Sequence, residues 1–437
     1  MLTTTQRCAL ALAAVVAAAG CATTPTAAPA PPPRTQVAAT PPATPPATPA
    51  TPPATAASPA AGKGAAAVTG GNPAGLTDEQ LVGQVFMSYV YGATATSATP
   101  SQREANISLY GVPTGADVMR RWHLGGIILL DHNTLDPARP NLSTGNVGTA
   151  TQVRQLTTGL QQAALSDSRV PLLIATDQEG GRVQRLSNGV SDRPSQQRLA
   201  HLSPAALTCS YFTLGSQLRA LGINQDFAPV ADVVRTRTGV IGDRSFGPDP
   251  VLDGRDAAAS AAGLQAAGVL ATLKHWPGHG STSTDSHAAL AVIHESAQEW
   301  RRIDRAAFAA ATATAAAVMI GHLALPAIDP SGLPATLSPV LVTGQLRHGL
   351  GYQGLTVTDS LAMEPMRAAG TPGSVAIQAL RAGDEMLLET PDLPQAEQAV
   401  LTAIKHDPGL RQLVRAAVAH LIAIKQQLGN APRGHCR

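Results

Sequence analysis

Eight short apolar runs recur along the chain: QVFMSYV (residues 84 to 90), GGIILL (125 to 130), PLLIAT (171 to 176), NQDFAPV (224 to 230), VLATL (269 to 273), AVMIG (317 to 321), GLTVT (354 to 358) and EMLLE (385 to 389). Their length and composition predict buried strands. The stretches between them have helical composition. SPAALTCSYFTLGSQLRALG, for example, opens on Ser203 and Pro204, an N-cap and first turn, and continues with Leu and Ala at helical spacing. Alternating strand and helix units imply parallel strands, and eight such units predict an α/β fold of the closed (β/α)8 barrel (TIM) type. An open doubly wound sheet is the alternative that the same alternation allows.

The first 70 residues follow a different rule. MLTTTQRCALALAAVVAAAGC carries one arginine, an apolar run from Ala9 to Ala19, and small residues leading into Cys21. The run is too short to span a bilayer as a helix and stops at a cysteine, so it is similar to a bacterial lipoprotein signal. Residues 1 to 20 are expected to be removed and Cys21 lipidated, giving an exported protein anchored to the cell membrane or envelope. An ordinary signal cut elsewhere is the other reading. Residues 21 to 70 are rich in Pro, Ala and Thr, with PPAT repeated. Such a stretch cannot build a core, and its prolines favour a semi-rigid spacer of at most about 140 Å, at about 3.1 Å per residue. Residues 71 to 437 remain for the barrel, about 365 residues in one catalytic domain.

Composition excludes more than it suggests. A formal net charge of +2, with no basic stripe and only 3% aromatic residues, argues against nucleic acid as a partner. Of the four cysteines, Cys8 leaves with the signal and Cys21 takes lipid. Cys209 and Cys436 then remain, either as a disulfide in an oxidising compartment or as two separate thiols. The expected assembly is a monomer.

Candidate chemistry gathers at the ends of the apolar runs. LLIAT is followed by Asp177, VLATL by Lys274 and His275, AVMIG by His322, and LTVT by Asp359. A single polar residue after a strand is usually a turn former or cap, but in a barrel all such ends converge on one face. The segment KHWPGHGSTSTDSH (274 to 287) adds three histidines and one aspartate where no regular period runs. A zinc pair at His275 and His279 would need a helix that Pro277 and Gly278 forbid, so no metal is expected. Asp285 and His287, separated by one serine, suit an acid/base pair in which the carboxylate fixes the imidazole. The other half of the chemistry needs a nucleophile or stabilising carboxylate from another strand end, for which Asp359 is best placed.

DQEGGRVQRL (177 to 186), IGDRSFG (241 to 247), KHWPGHGSTSTDSH, VMIGHLALPAID (318 to 329), PATLSP (334 to 339) and TVTDSLAM (356 to 363) together resemble glycoside hydrolase family 3, in its β-N-acetylhexosaminidase branch. The resemblance spans about residues 75 to 430 and implies a retaining exo-glycosidase that removes terminal β-linked N-acetylglucosamine. On that reading Asp359 is the nucleophile and His287, paired with Asp285, the acid/base. Asp177, Arg185, Arg244, Lys274 and His275 match positions that bind the sugar, and no cofactor is implied. A rim salt bridge is the plainer role for Arg185 and Arg244. The lipoprotein signal suggests peptidoglycan fragments as the carbohydrate partner. Three departures lie beside the chemistry: Ser360 where the family often repeats aspartate, and Gln178 and Trp276 where His and Phe are common. Ending near the eighth unit fits an enzyme whose acid/base comes from the barrel's own loop. The competing functions are a phosphorylase or broader β-glycosidase on the same site, and a catalytically silent cell-wall-binding lipoprotein.

Overall fold

Strands form where the apolar runs predict them. A computed structural model describes residues 73 to 236 and 239 to 430, all within one unit, Ala60–Arg437. The signal, Cys21, the spacer and Cys436 lie outside the described residues. The barrel strands are β1 (Phe86–Ser88), β2 (Gly126–Ile128), β3 (Leu173–Thr176), β4 (Gln225–Asp226), β5 (Leu270–Trp276), β6 (Ala317–Ile320), β7 (Leu355–Thr358) and β8 (Leu387–Leu388). Each pairs in parallel with its sequence neighbour, and β8 pairs with β1. The seam between β7 and β8 is held by the single bridge Val357↔Met386, with the Thr358 N–H donating to the Met386 carbonyl at 2.9 Å. The sheet is therefore a closed (β/α)8 barrel.

Alternation along the strands separates two cores. Met87, Ile128, Leu173, Ala175, Phe227, Leu270, Met319 and Val357 pack together inside the barrel, while their neighbours Ile127, Ile174, Leu273 and Val318 pack outward against the helices. The outer layer includes α1 (Gly115–Trp122), α2 (Ala150–Asp167), α3 (Pro204–Ala220), α4 (Pro250–Ala266), α5 (Asp304–Thr312), a π-type segment α6 (Val340–Gly349), α7 (Pro372–Ala382), α8 (Leu393–His406) and α9 (Pro408–Asn430). Ser203 caps α3 as its sequence predicts, its hydroxyl accepting from the Ala206 N–H at 3.3 Å. Cys209, on α3, is disulfide-bonded.

Two runs differ from expectation. The fourth forms a strand only at Gln225–Asp226, because Pro229 cannot donate to a ladder, and pairing resumes only at the Val230↔Lys274 bridge. The fifth instead continues through Lys274 and His275 to Trp276, so the polar segment begins inside a strand and becomes irregular only at Pro277. Trp276 and Trp300 are fully buried there, their rings edge-to-face at 5.8 Å, and the Trp300 indole donates to the Pro277 carbonyl at 2.9 Å. The loop that follows is seated closely. A Cβ on Gly278, whose φ is +121°, would lie 2.5 Å from an Asp304 carboxylate oxygen, so only glycine fits.

One buried acid, on α8, has no catalytic explanation. Glu397 is 6% exposed, and its Oε2 has no hydrogen-bond partner among the described residues. Burial pushes its carboxyl up to about 8, with Arg121 only partly opposing. Between roughly pH 4.5 and 8 the folded chain keeps a proton that the unfolded chain has released, so stability falls as pH rises through that window. Glu397→Gln is therefore expected to raise stability by about 3 kcal/mol at pH 8.5 and to change it little at pH 4.5. Thermal melts at the two pH values check this, and equal shifts at both would refute it.

Candidate active site

The carboxyl ends of the strands open onto a pocket of about 420 Å3. All eight residues singled out as catalytic or sugar-binding line it: Asp177, Arg185, Arg244, Lys274, His275, Asp285, His287 and Asp359. Barrel closure brings them together from four separate segments of sequence.

One wall is an ion network. Lys274, at the end of β5, donates to Asp177 Oδ1 at 2.7 Å and lies 2.7 Å from Glu179 Oε1. Arg244 grips the same Glu179 with two bonds of 2.8 Å, Nε to Oε2 and Nη2 to Oε1. Burial would raise the Glu179 carboxyl, but Arg244 and Lys274 outweigh it and hold the group well below the usual range. Lys274, which burial would lower, is in turn raised by Asp177 and Glu179. Arg185 approaches Asp177 only to 3.9 Å and leaves 43% of its side chain exposed, with donors free to face a ligand. The arrangement places one ammonium, two carboxylates and two guanidinium forks along this wall, the donors and acceptors that suit a polyhydroxylated ring.

A second group orients His275. Its Nδ1 is 2.7 Å from Asp232 Oδ2, and Asp232 Oδ1 accepts the backbone N–H groups of His275 and His279 at 3.0 and 2.7 Å. Asp232 is wholly buried; these partners hold its carboxyl down against the upward push of burial. With Nδ1 committed to Asp232, Nε2 faces Arg244 Nη2 at 3.5 Å. His279 has both nitrogens engaged, with Ser286 at 3.0 Å and Thr282 at 2.9 Å, which ties the loop to its root. Among the described residues no group of three or more His, Cys, Asp or Glu side chains is arranged to hold a metal ion.

Asp359 follows β7 at the pocket floor. Its N–H donates to the Ile320 carbonyl at 2.9 Å, and its Oδ1 accepts the Ser360 N–H at 2.8 Å. Burial pushes its carboxyl up, but His275, His322, His287 and the Ser360 N–H more than offset that and hold it at about 2. The group is an anion at any physiological pH. His322, the remaining ionisable strand end, does not line the pocket. It is fully buried and lowered by burial, donates from Nε2 to the Ser360 carbonyl at 2.8 Å, and so props the turn that carries Asp359.

The loop between Pro277 and Val292 supplies the last pair. His287 Nδ1 lies 2.7 Å from Asp285 Oδ1, which also accepts the His287 N–H at 3.0 Å. Both side chains are 53% exposed, so the pair adds little stability. Its effect is directional: Nδ1–H is held by the carboxylate, and Nε2 is left to exchange a proton with whatever enters the pocket.

Three lining or supporting residues were not singled out from the sequence. Glu179 and Asp232 each lie two residues past a more conspicuous feature, and only the folded ion network distinguishes them. Glu389, at the end of β8, lines the pocket with Asn133, whose Nδ2 donates to its Oε1 at 3.3 Å.

Residues 113–424 match the family described as "Glycosyl hydrolase family 3 N terminal domain". The chain is 33% identical over 341 residues to β-hexosaminidase A of Pseudoalteromonas piscicida, covering 72% of this chain and 53% of that protein. It is 35% identical over 286 residues to β-hexosaminidase of Pseudomonas aeruginosa, covering 65% and 80% of the two chains. A solved glycoside hydrolase family 3 β-N-acetylglucosaminidase from Paenibacillus sp. str. FPU-7 superposes with a TM-score of 0.71 at 36% identity, over 81% of this chain and 63% of that one. The chain thus spans about half the length of the Pseudoalteromonas relative and less than two thirds of the Paenibacillus structure.

Proposed function

Because the chain belongs to glycoside hydrolase family 3, we propose that it is a retaining exo-glycosidase acting on terminal β-linked N-acetylglucosamine. The observation that carries the reading is the pairing, in one pocket, of an anionic Asp359 with the exposed His287–Asp285 dyad. The β-hexosaminidases among its relatives support the choice of sugar.

The chemistry follows from those two groups. Asp359 attacks the anomeric carbon as the glycosidic bond breaks, and His287 gives its Nε2 proton to the departing oxygen. The now neutral imidazole then takes a proton from water, whose oxygen attacks the anomeric carbon and releases Asp359. Two inversions leave the β configuration. Asp285 supports the imidazolium and fixes the ring. Lys274, Asp177, Arg185, Arg244 and His275 hold the sugar's hydroxyl and acetamido groups, so that binding energy orients the anomeric carbon over Asp359.

The lipoprotein-type signal and the Pro/Ala/Thr spacer support an enzyme tethered to the cell envelope and working on GlcNAc-bearing peptidoglycan fragments. Cys21→Ala is expected to move the protein from the membrane to the soluble fraction with its specific activity unchanged, since the spacer separates lipid from barrel. Fractionation followed by assay checks this; an unaltered membrane fraction would remove Cys21 as the anchor.

The function itself is tested with purified protein on aryl β-glycosides of N-acetylglucosamine and of glucose, each with and without inorganic phosphate. The GlcNAc substrate should be preferred by at least about 100-fold, phosphate should be unnecessary, and the first sugar released should be the β-anomer. A phosphate-dependent sugar phosphate would make the protein a phosphorylase. Saturable binding without turnover would make it a cell-wall-binding protein instead.

A further inference from the structure

The mechanism above leaves one carboxyl in the pocket without a task. Glu389 ends β8 and is 7% exposed, bordering both the main pocket and an adjoining chamber of about 190 Å3 flanked by Tyr89 and Tyr110. Its φ is +48°, a left-handed conformation that a glutamate seldom adopts. The surroundings enforce it. The Glu389 N–H donates to the Met87 carbonyl of β1 at 2.8 Å, while Asn133 Nδ2 donates to Oε1 at 3.3 Å and Ser360 is a further side-chain partner. Such an outlier at the wall of a sugar-sized pocket asks for a functional account.

Resting on the glycosidase reading, we propose that Glu389 is a specificity-determining residue that presents a neutral carboxyl O–H to an acceptor oxygen of the bound N-acetylhexosamine. Three observations favour the neutral form. Asp177 and Asp359, both acidic, face it from β3 and β7, and Arg185 opposes them; Asp136 and Arg367 share the adjoining chamber, the Arg367 guanidinium donating to the Ala362 and Leu135 carbonyls, and Tyr89 and Tyr110 are held uncharged by burial. Burial, reinforced by those two aspartates, pushes the carboxyl up to about 7 against the opposing Ser360 bond and Arg185. Finally, Glu179 and Asp359 in the same pocket are held as anions that can only accept hydrogen bonds, so a carboxyl O–H at Glu389 would add a donor for an acceptor oxygen of the sugar. Above about pH 7 a third negative charge would stand beside Asp177 and Asp359, and the donor would be lost.

The experiment measures two things across pH 5.5 to 8.5: the dissociation constant of free N-acetylglucosamine by calorimetry, and turnover of its aryl glycoside. For the wild-type protein the dissociation constant should be flat below pH 6.5 and rise toward tenfold per pH unit above about 7, as loss of one proton requires. Glu389→Gln keeps the shape and a donor but cannot ionise, so its affinity should stay within about threefold of the wild type's low-pH value and be flat throughout. Asp226→Asn tests the other buried acid near the ion network whose carboxyl lies at about 7, and it should retain the wild-type slope. A pH-independent wild type, or a slope that survives in Glu389→Gln, overturns the assignment and leaves the glycosidase reading intact. The predicted slope without any turnover sinks the glycosidase and keeps the Glu389 role. Failure of N-acetylglucosamine to bind at any pH removes both.

Discussion

Asp359→Asn is expected to lower turnover by about 10⁴-fold or more, roughly 5.5 kcal/mol of barrier, while leaving the protein folded. The amide can neither attack the anomeric carbon nor offset the charge of an oxocarbenium-like transition state. It does match the carboxylate in size, and Asn Oδ1 can still accept the Ser360 N–H that Asp359 accepts at 2.8 Å. Because the wild-type carboxyl is held at about 2, it is anionic throughout pH 4 to 9, and whatever stability it adds is present above about pH 4 and lost only as pH falls through about 2. Loss of activity in mildly acidic buffer therefore cannot come from protonating this group. Melting curves and kinetics on one preparation separate the roles. A variant that melts like the wild type and retains more than a few per cent of turnover would remove Asp359 as nucleophile.

His287→Ala should show the second largest effect, and its signature is dependence on the leaving group. Poor leaving groups need a proton in the transition state, so natural glycosides should slow by about 10²- to 10⁴-fold, and activated aryl glycosides much less. Hydrolysis of the glycosyl-enzyme then becomes limiting for the activated substrates, which should give a burst of phenol followed by a slow phase. Azide needs no general base, and it should accelerate the slow phase and yield a β-glycosyl azide. Asp285→Ala should follow the same pattern less severely, since the imidazole remains but loses the carboxylate 2.7 Å from Nδ1. Equal slowing of good and poor leaving groups, with no burst and no response to azide, would reduce His287 to a binding residue.

Much of this site is legible in the chain because a parallel barrel converts position along a strand into position in space. Every apolar run supplies a barrel strand, and Asp177, Lys274, His275 and Asp359 meet because each sits at a carboxyl end. Asp285 and His287 are legible for a simpler reason, since one intervening residue lets them bond locally. Groups whose meaning depends on a partner elsewhere are harder to see. Glu179 looks like an ordinary loop acid until Arg244, 65 positions away, grips it. Asp232 gains its role from the backbone at positions 275 and 279, and Glu389 from a φ no pattern of residue types encodes. His322 shows the converse: it satisfies the strand-end rule, yet its ring is spent on the Ser360 carbonyl.

The buried pairing of Trp276 with Trp300 gives the protein a built-in optical probe. These are two of the chain's three tryptophans, and they stand at the root of the loop that carries Asp285 and His287, one of them bonded to the carbonyl at which that loop begins. Indoles shielded from water emit at the blue end of their range, and their emission responds to small changes in the field of a nearby carbonyl. A displacement of the loop at Pro277 would therefore reach the fluorescence directly, without a label. Stopped-flow mixing with sugar would then time any such displacement separately from turnover.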